Sequence, residues 1–123
     1  MKHELSQSFY FEAAHTLKRA ATVDAEPSRR VHGHTYIAEV TLSGEPDPAT
    51  GMVTDLGDLR RAIEAVRLDL DHHFLNDVEG LGPATLENLC SYLWKRFAPQ
   101  FDSLARVTVR RDQSGDRCTL SAN

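Results

Sequence analysis

A histidine-glycine-histidine motif, His32-Gly33-His34, constrains this chain more than any other feature. The motif lies in a run, residues 31–42, in which apolar and polar residues alternate as they do in a half-buried strand. Side chains two positions apart on a strand point to the same side of the sheet, so both imidazoles can reach one metal ion. Gly33 has no Cβ and lets a cofactor, a substrate or another backbone come close. By itself, a pair of this spacing is weak evidence for a metal site.

A third histidine strengthens the case for a metal. Residues 8–15 form another alternating run, and the apolar face of that run ends in His15. Three imidazoles leave the fourth position of a tetrahedral zinc ion open for water or substrate, as in catalytic rather than structural zinc sites. The sequence therefore predicts a Zn2+ site built from His15, His32 and His34. The connection at 16–30 is long for a compact domain, and its position between these histidines predicts that it covers the metal.

The composition is that of one globular domain. The chain has 123 residues, 41% of them apolar, so residues 1–123 suit a single domain with one core. A net charge of −4 argues against a nucleic-acid-binding surface, which normally carries clustered positive charge. We find no apolar run of about 18 residues and no charged-then-apolar leader, and so expect neither a membrane span nor secretion. Cys90 and Cys118 lack CxxC spacing, which favours a reduced, cytoplasmic protein.

Two further stretches have strand character. Turn formers fill residues 43–51 and an extended piece restarts at 52–54, which predicts a hairpin with the strand at 31–42. Residues 105–111 alternate as a last strand, and the polar tail at 112–123 contains a turn. The predicted order is three strands, two helices and one strand.

Two helices are predicted in the second half of the chain. Asp55 or Thr54 can cap the first, whose apolar stripe has helical spacing and consists of Leu59, Ile63, Val66 and Leu70. Thr85 is the natural cap of the second, and Pro99 stops it. The apolar residues of the second helix are Leu86, Leu89, Cys90, Leu93, Trp94 and Phe97. Because strand and helix patterns are grouped rather than alternating, we expect an α+β fold with an antiparallel sheet and its helices on one face.

Five motifs in order give the chain a resemblance to a known family. They are residues 11–15 (FEAAH), 32–34 (HGH), 50–55 (TGMVTD), 70–77 (LDHHFLND) and 83–88 (PATLEN). Together they span nearly the whole chain, and it resembles the 6-pyruvoyl-tetrahydropterin synthase and 6-carboxy-tetrahydropterin synthase family.

The resemblance implies a fold, partners and site residues. The family fold is the tunnelling fold (T-fold), a four-stranded antiparallel sheet with two helices, which assembles into a homo-oligomer that is commonly a hexamer of two stacked trimers. By matching position, the three histidines above would bind the zinc ion. Asp71 and His72 would be the acid/base pair, and Thr85 with Glu87 would lie near a small-molecule substrate.

The family chemistry suits a zinc ion held by three histidines. The ion acts as a Lewis acid on oxygens in the side chain of dihydroneopterin triphosphate, and a base moves protons before elimination or carbon-carbon cleavage. His72 suits the role of base because imidazole titrates near neutrality, and Asp71 would hold its tautomer. Adjacent side chains rarely hydrogen-bond to each other, so this pairing is implied by the family alone.

Ser28 departs from the family pattern. Members usually carry a cysteine four residues before the first histidine of the HGH motif, where it serves as the proton-abstracting base. A hydroxyl is not ionised near neutral pH, so Ser28 does not simply inherit that role. Glu26 is an alternative base, and Cys90 is interpreted as a core residue. The pair Arg29-Arg30 suits either a phosphate clamp or a solvated loop.

Arg111 is the second departure. The family usually has a glutamate here, which anchors the amino and ring N–H groups of the pterin. Arg111 has the same parity as Val107 and Val109, so it points inward if the strand continues, and is solvated if the strand ends earlier. A guanidinium would repel those donors and favour a carboxylate or phosphate.

Three functions follow as hypotheses. The first is a zinc-dependent lyase or cyclase of this family acting on an altered, anionic, non-pterin substrate in a biosynthetic pathway. The second is a conventional 6-carboxy-tetrahydropterin synthase that tolerates Ser28 and Arg111. The third is a catalytically silent zinc-binding paralogue that acts as an assembly partner. A cupin site using Glu39 fits less well, because it leaves His15 without a role.

Overall fold

The computed structural model describes residues 1–17 and 30–122 of the chain. Within them lie four strands, two α-helices and one turn of 3₁₀-helix. The strands are β1 (His3–His15), β2 (His32–Gly44), β3 (Leu104–Arg111) and β4 (Asp116–Ser121). The helices are α1 (Leu56–Leu70) and α2 (Leu86–Phe97), with the 3₁₀ turn at Leu75–Asp77 between them.

The four strands form one antiparallel sheet in the order β1-β2-β3-β4. β1 and β2 pair over their full length, from His3 opposite Gly44 to His15 opposite His32. The sheet therefore brings the predicted metal ligands of two distant segments side by side at one end. An α+β fold with four antiparallel strands and two helices confirms the predicted fold class.

The core lies between one face of the sheet and the two helices. Odd-numbered residues from 9 to 15 of β1 and even-numbered residues from 36 to 42 of β2 are buried, as the alternation predicts. The predicted apolar stripe of α1 is buried completely or nearly so, as are Leu89, Cys90, Leu93 and Phe97 of α2. The caps are also as predicted, since Asp55 accepts from Gly57 N–H and Thr85 accepts from Asn88 N–H.

The predicted third strand is wrong. Residues 52–54 are not part of the sheet, because local hydrogen bonds from Asp47 N–H to Met52 O and from Gly51 N–H to Asp47 O close a turn there. The cap of α1 follows at once at Asp55. The actual fourth strand is β4, in the stretch that the sequence presents as a polar tail.

β4 escapes sequence analysis because its pattern is short and mostly polar. Only Cys118 and Leu120 pack against the core from this strand. Gly115, at φ 78°, turns the chain so that Arg111 pairs with Asp116 in the hairpin of β3 and β4. Residues 116–121 therefore form a strand because they pair with β3 in a hairpin, and not only because apolar side chains are buried.

Candidate active site

Three imidazoles converge at the end of the sheet where β1 and β2 meet. His15 Nε2 lies 2.9 Å from His32 Nε2 and 3.0 Å from His34 Nε2. The possible ligand atoms of the three residues all lie within 4.8 Å of one another. His15 is only 1% exposed, whereas the other two rings are partly exposed. The structure thus brings together the three histidines that the sequence predicts.

The hydrogen bonds made by Nδ1 of His15 and of His32 show which ring nitrogen carries the proton. His15 Nδ1 lies 2.8 Å from the carbonyl oxygen of Ala84, and His32 Nδ1 lies 2.7 Å from that of Arg30. Each Nδ1–H donates to its carbonyl, so each Nε2 presents a lone pair to the other. His34 Nε2 also faces a donor, because Arg111 Nη1 lies 3.4 Å away. Three acceptor nitrogens therefore point at one place.

This donor set fits a divalent metal ion. Lone pairs at such short separation repel one another unless a cation lies between them. Nitrogen ligands at 2.0–2.1 Å in a tetrahedral zinc site stand about 3.3 Å apart, so only small shifts separate the observed rings from coordination geometry. Carbonyl partners on Nδ1 are the usual means by which proteins orient ligand imidazoles.

The electrostatics keep His15 and His34 neutral, which is the form of imidazole that binds metal. Burial, together with the nearby His15 and Arg111, lowers the pKa of His34 to about 4. Burial also lowers the pKa of His15, against the opposing effect of its bond to Ala84. Protons therefore compete for the His15 and His34 nitrogens only in acid.

A cavity of about 610 Å³ opens beside His15. Thr85, Glu87 and Arg111 line it, so the three residues predicted to bind substrate share one cavity. Thr85 uses its hydroxyl as the cap of α2, and Glu87 is exposed in the first turn of that helix. Their roles in binding stay predictions.

Arg111 lies within β3 and points toward the histidines, as its parity predicts. Its side chain is 20% exposed, and its Nη2 lies 2.7 Å from the Asp116 carboxylate. Asp116 is a partner that the sequence could not reveal, because only the register of the hairpin places it opposite Arg111. Arg111 is therefore an inward cation rather than a solvated one.

Tyr36 is another site residue that sequence analysis missed. It is 1% exposed, lines the same cavity, and its ring centroid lies 5.6 Å from that of His34. Burial raises the pKa of Tyr36 to about 12, although the Arg111 guanidinium nearby opposes this shift. The Tyr36 hydroxyl and the Arg111 guanidinium do not form a hydrogen bond, since the hydroxyl has no hydrogen-bond partner among the described residues. Its parity with His34 was the available signal.

Asp71 and His72 form a hydrogen-bonded pair beyond the end of α1. His72 Nδ1 lies 2.9 Å from Asp71 Oδ2, so the adjacent side chains do meet. His72 has a φ of 58°, an unusual value for a residue other than glycine. The pair lies at a second cavity of about 510 Å³, which His72 lines together with Glu12 and Thr35.

The two cavities have no lining residue in common within one chain, and His34 of the imidazole cluster lines the cavity of His72. His72 is absent from the lining of the cavity that contains Arg111, and Glu12 and Thr35 point to the face of the sheet away from the core.

Ser28, together with Glu26 and Arg29, lies outside the described residues, as does most of the loop predicted to cover the metal. No helix in the described ranges is long and apolar enough to cross a membrane.

Comparison with known proteins gives the context of this site. The family model described as 6-pyruvoyl tetrahydropterin synthase matches residues 4–122. The human 6-pyruvoyl tetrahydrobiopterin synthase is 37% identical over 103 residues, which cover 74% of this chain and 71% of the human protein. A putative 6-carboxy-5,6,7,8-tetrahydropterin synthase from Archaeoglobus fulgidus is 32% identical over 103 residues, which cover 84% of this chain and 83% of that protein. Against the Poecilia reticulata synthase, 46% identical, the match takes in 64% of this chain and only 56% of the relative's length.

Solved structures agree with the sequence comparisons. The Caenorhabditis elegans 6-pyruvoyl tetrahydropterin synthase has a TM-score of 0.85 at 28% identity, with 100% of this chain and 97% of that chain covered. A Plasmodium vivax 6-pyruvoyltetrahydropterin synthase, in which a catalytic glutamate is replaced by cysteine, shares the fold with a TM-score of 0.77 at 19% identity, covering 100% and 99%. A family match across almost the whole chain bears out the resemblance seen in its motifs, and the chain belongs to the 6-pyruvoyl tetrahydropterin synthase family.

Proposed function

We propose that this protein is a zinc-dependent lyase of the 6-pyruvoyl and 6-carboxy-tetrahydropterin synthase family that acts on an anionic, non-pterin small molecule in a biosynthetic pathway. Family membership supports a lyase. The observation that carries the proposal is the convergence of three acceptor imidazoles beside an inward guanidinium, with Arg111 Nη1 3.4 Å from His34 Nε2.

Zn2+ would be held by His15, His32 and His34, whose Nε2 lone pairs already face one another. When bound, the ion supplies Lewis-acid polarisation of a substrate oxygen. The carbonyls of Ala84 and Arg30 keep the Nδ1 protons of two rings in place, so these rings need no tautomer change to act as ligands.

His72 is proposed to move the substrate proton. Its Nδ1–H donates to Asp71, which leaves Nε2 as the proton acceptor. Because His72 and Arg111 line separate cavities in one chain, a second copy is the simplest way to bring both to one substrate. This supports a homo-oligomer, and we propose a hexamer of two trimers in the cytoplasm.

Arg111 is proposed to select the substrate. An ion held by His34 would stand beside the guanidinium, and two neighbouring cations favour an anionic group at that position. A pterin presents amino and ring N–H donors instead, and a mismatched buried charge costs roughly 3–5 kcal/mol. Asp116 neutralises only part of the guanidinium, because it pairs with Nη2 and leaves Nη1 directed at His34.

Besides the proton transfer proposed for His72, the family mechanism uses a cysteine as a base, and another residue must take that role here. Ser28 occupies the position of that cysteine, and we propose that it binds substrate oxygen at the catalytic centre rather than removing the proton. The catalytic glutamate of the Plasmodium vivax protein supports a carboxylate in this role, and Glu26 is the nearest candidate in sequence.

Dihydroneopterin triphosphate binding tests the proposal. Zinc-loaded wild-type protein is expected to bind it weakly, and the Arg111→Glu variant is expected to bind it at least roughly tenfold more tightly, since the carboxylate accepts the pterin donors. Arg110→Glu is the matched control: Arg110 lies next to Arg111 on the opposite face of β3 and pairs with Asp112 at 2.8 Å. Tight binding by wild type would overturn the anionic, non-pterin substrate.

A second candidate is a conventional 6-carboxy-tetrahydropterin synthase. The similarity to the Archaeoglobus fulgidus protein, which carries that description as putative, favours it. Incubation of zinc-loaded protein with dihydroneopterin triphosphate separates the two, because the conventional enzyme releases acetaldehyde with a tetrahydropterin. A silent zinc-binding paralogue would keep its metal, turn over nothing, and leave cellular metabolites unchanged in a His72→Ala strain.

A further inference from the structure

The loop that follows α1 covers the free edge of β1 at residues 12–14. Glu12 N–H donates to Asp71 Oδ1 at 2.9 Å, and Glu12 O accepts from His72 N–H at 2.6 Å. Two residues later, Ala14 N–H donates to His73 O at 3.1 Å. These are the outward-facing backbone groups of an edge strand, which would otherwise stay open. The Asp71–His72 pair is thus attached directly to the sheet.

Arg67, one turn before the end of α1, joins this attachment. Its Nε donates to Tyr10 O at 2.7 Å, and its guanidinium carbon lies 5.0 Å above the Tyr10 ring. Its Nη2 lies 3.3 Å from Asp71 Oδ2, the same oxygen that accepts from His72. The Arg67 and Asp71 side chains are only 25% and 16% exposed, so solvent weakens this pair less than a surface pair.

We infer that Arg67 is a positioning residue for the acid/base pair, an inference that rests on the proposed role of His72. Asp71 has both oxygens engaged, Oδ1 by the Glu12 amide and Oδ2 by His72 and Arg67, so the carboxylate cannot turn away from the imidazole. His72 is 77% exposed, and Asp71 is the only ring partner that the described residues give it. The orientation of the His72 ring, and the proton on its Nδ1, therefore depend on how firmly Asp71 is held.

The charge on Asp71 follows from the same contacts. The Glu12 amide holds the pKa of Asp71 below its usual value, and His72 and Arg67 lower it further. Asp71 therefore remains a carboxylate at neutral pH, which favours the Nδ1–H tautomer of His72 and leaves Nε2 free as the acceptor. Arg67 acts on His72 only through Asp71, with no contact of its own to a substrate.

The test replaces Arg67 and reads the His72 tautomer by ¹⁵N NMR. In Arg67→Met, the Nδ1–H population of His72 is expected to fall below that of wild type. Arg67→Lys retains a cation near Asp71 without the fixed fork of the guanidinium, and is expected to restore part of the Nδ1–H population. If Arg67→Met does not fold, Arg67→Lys still allows the effect on the His72 tautomer to be measured.

Arg96→Met is the matched control. Arg96 makes the same kind of contacts elsewhere, with Asp69 at 2.7 Å and with the Tyr92 ring at 5.6 Å. The Arg96→Met variant should lose about as much folding stability as Arg67→Met, while its His72 tautomer stays as in wild type. An unchanged His72 tautomer in both Arg67 variants would overturn the inference and leave Arg67 a structural residue. Because the tautomer is read without turnover, absence of any lyase activity would overturn the proposed function and not this inference.

Discussion

The histidine cluster and the Asp71–His72 pair place the same ring in opposite environments. His15 is 1% exposed and its cluster is held by backbone carbonyls and by neighbouring rings, whereas His72 is 77% exposed and oriented by one carboxylate. Burial keeps the imidazoles of His15 and His34 neutral, because a charged imidazole is costly there. Exposure leaves His72 in contact with water, where protons enter and leave. Environment, rather than residue type, separates the proposed metal ligands from the proposed proton carrier in this fold.

Removal of a ligand gives the largest expected effect. His32→Ala takes one of three nitrogens from the cluster, so purified protein should lose essentially all of its stoichiometric zinc and all zinc-dependent activity. Metal analysis of unchelated protein measures the loss. His3→Ala is the control, since His3 is an exposed histidine at the other end of β1. Retention of one zinc ion per chain by His32→Ala would remove the cluster from the proposed site.

Removal of His72, the proposed proton carrier, should affect turnover without affecting zinc binding. His72→Ala is expected to lower kcat by about 10²–10⁴-fold while zinc content stays at the wild-type value. His73→Ala provides the control, because His73 is the next residue in the loop and its Nδ1 lies against the Asp71 carbonyl. Loss of zinc in His72→Ala, or wild-type kcat, would contradict the division of roles.

The smallest effect concerns pH. In the metal-free protein the pKa of His34 is about 4, below its ordinary value of 6.5, so the unfolded chain binds this proton first as the pH falls. His34 therefore makes the apo protein less stable as pH drops from about 6.5 to about 4, by roughly 1–2 kcal/mol after allowance for solvent screening. Urea unfolding of wild type and His34→Gln at several pH values measures the difference. An equal pH slope in both proteins would show that His34 is not protected from protons.

Much of the cluster could be predicted because its information is local. The parity of His15, His32 and His34 within two alternating runs is enough to place all three rings on the core face of a sheet. The caps at Asp55 and Thr85 were likewise readable, since each depends on contacts within a few residues. Asp116 could not be predicted in this way, because only the register of β3 with β4 places it opposite Arg111. Tyr36 was missed although its parity with His34 is local.

The sequence by itself determined the α+β class, the two amphipathic helices and the set of histidines that converge, because side-chain periodicity is a property of each segment alone. Only the tertiary structure decided that residues 52–54 stay outside the sheet, that β4 completes it, and that Arg111 faces His34. It also decided that the loop after α1 docks on the β1 edge and makes a pair of Asp71 and His72. These outcomes depend on which backbone groups remain unpaired after the sheet has formed, and that is a property of the whole chain rather than of any one segment.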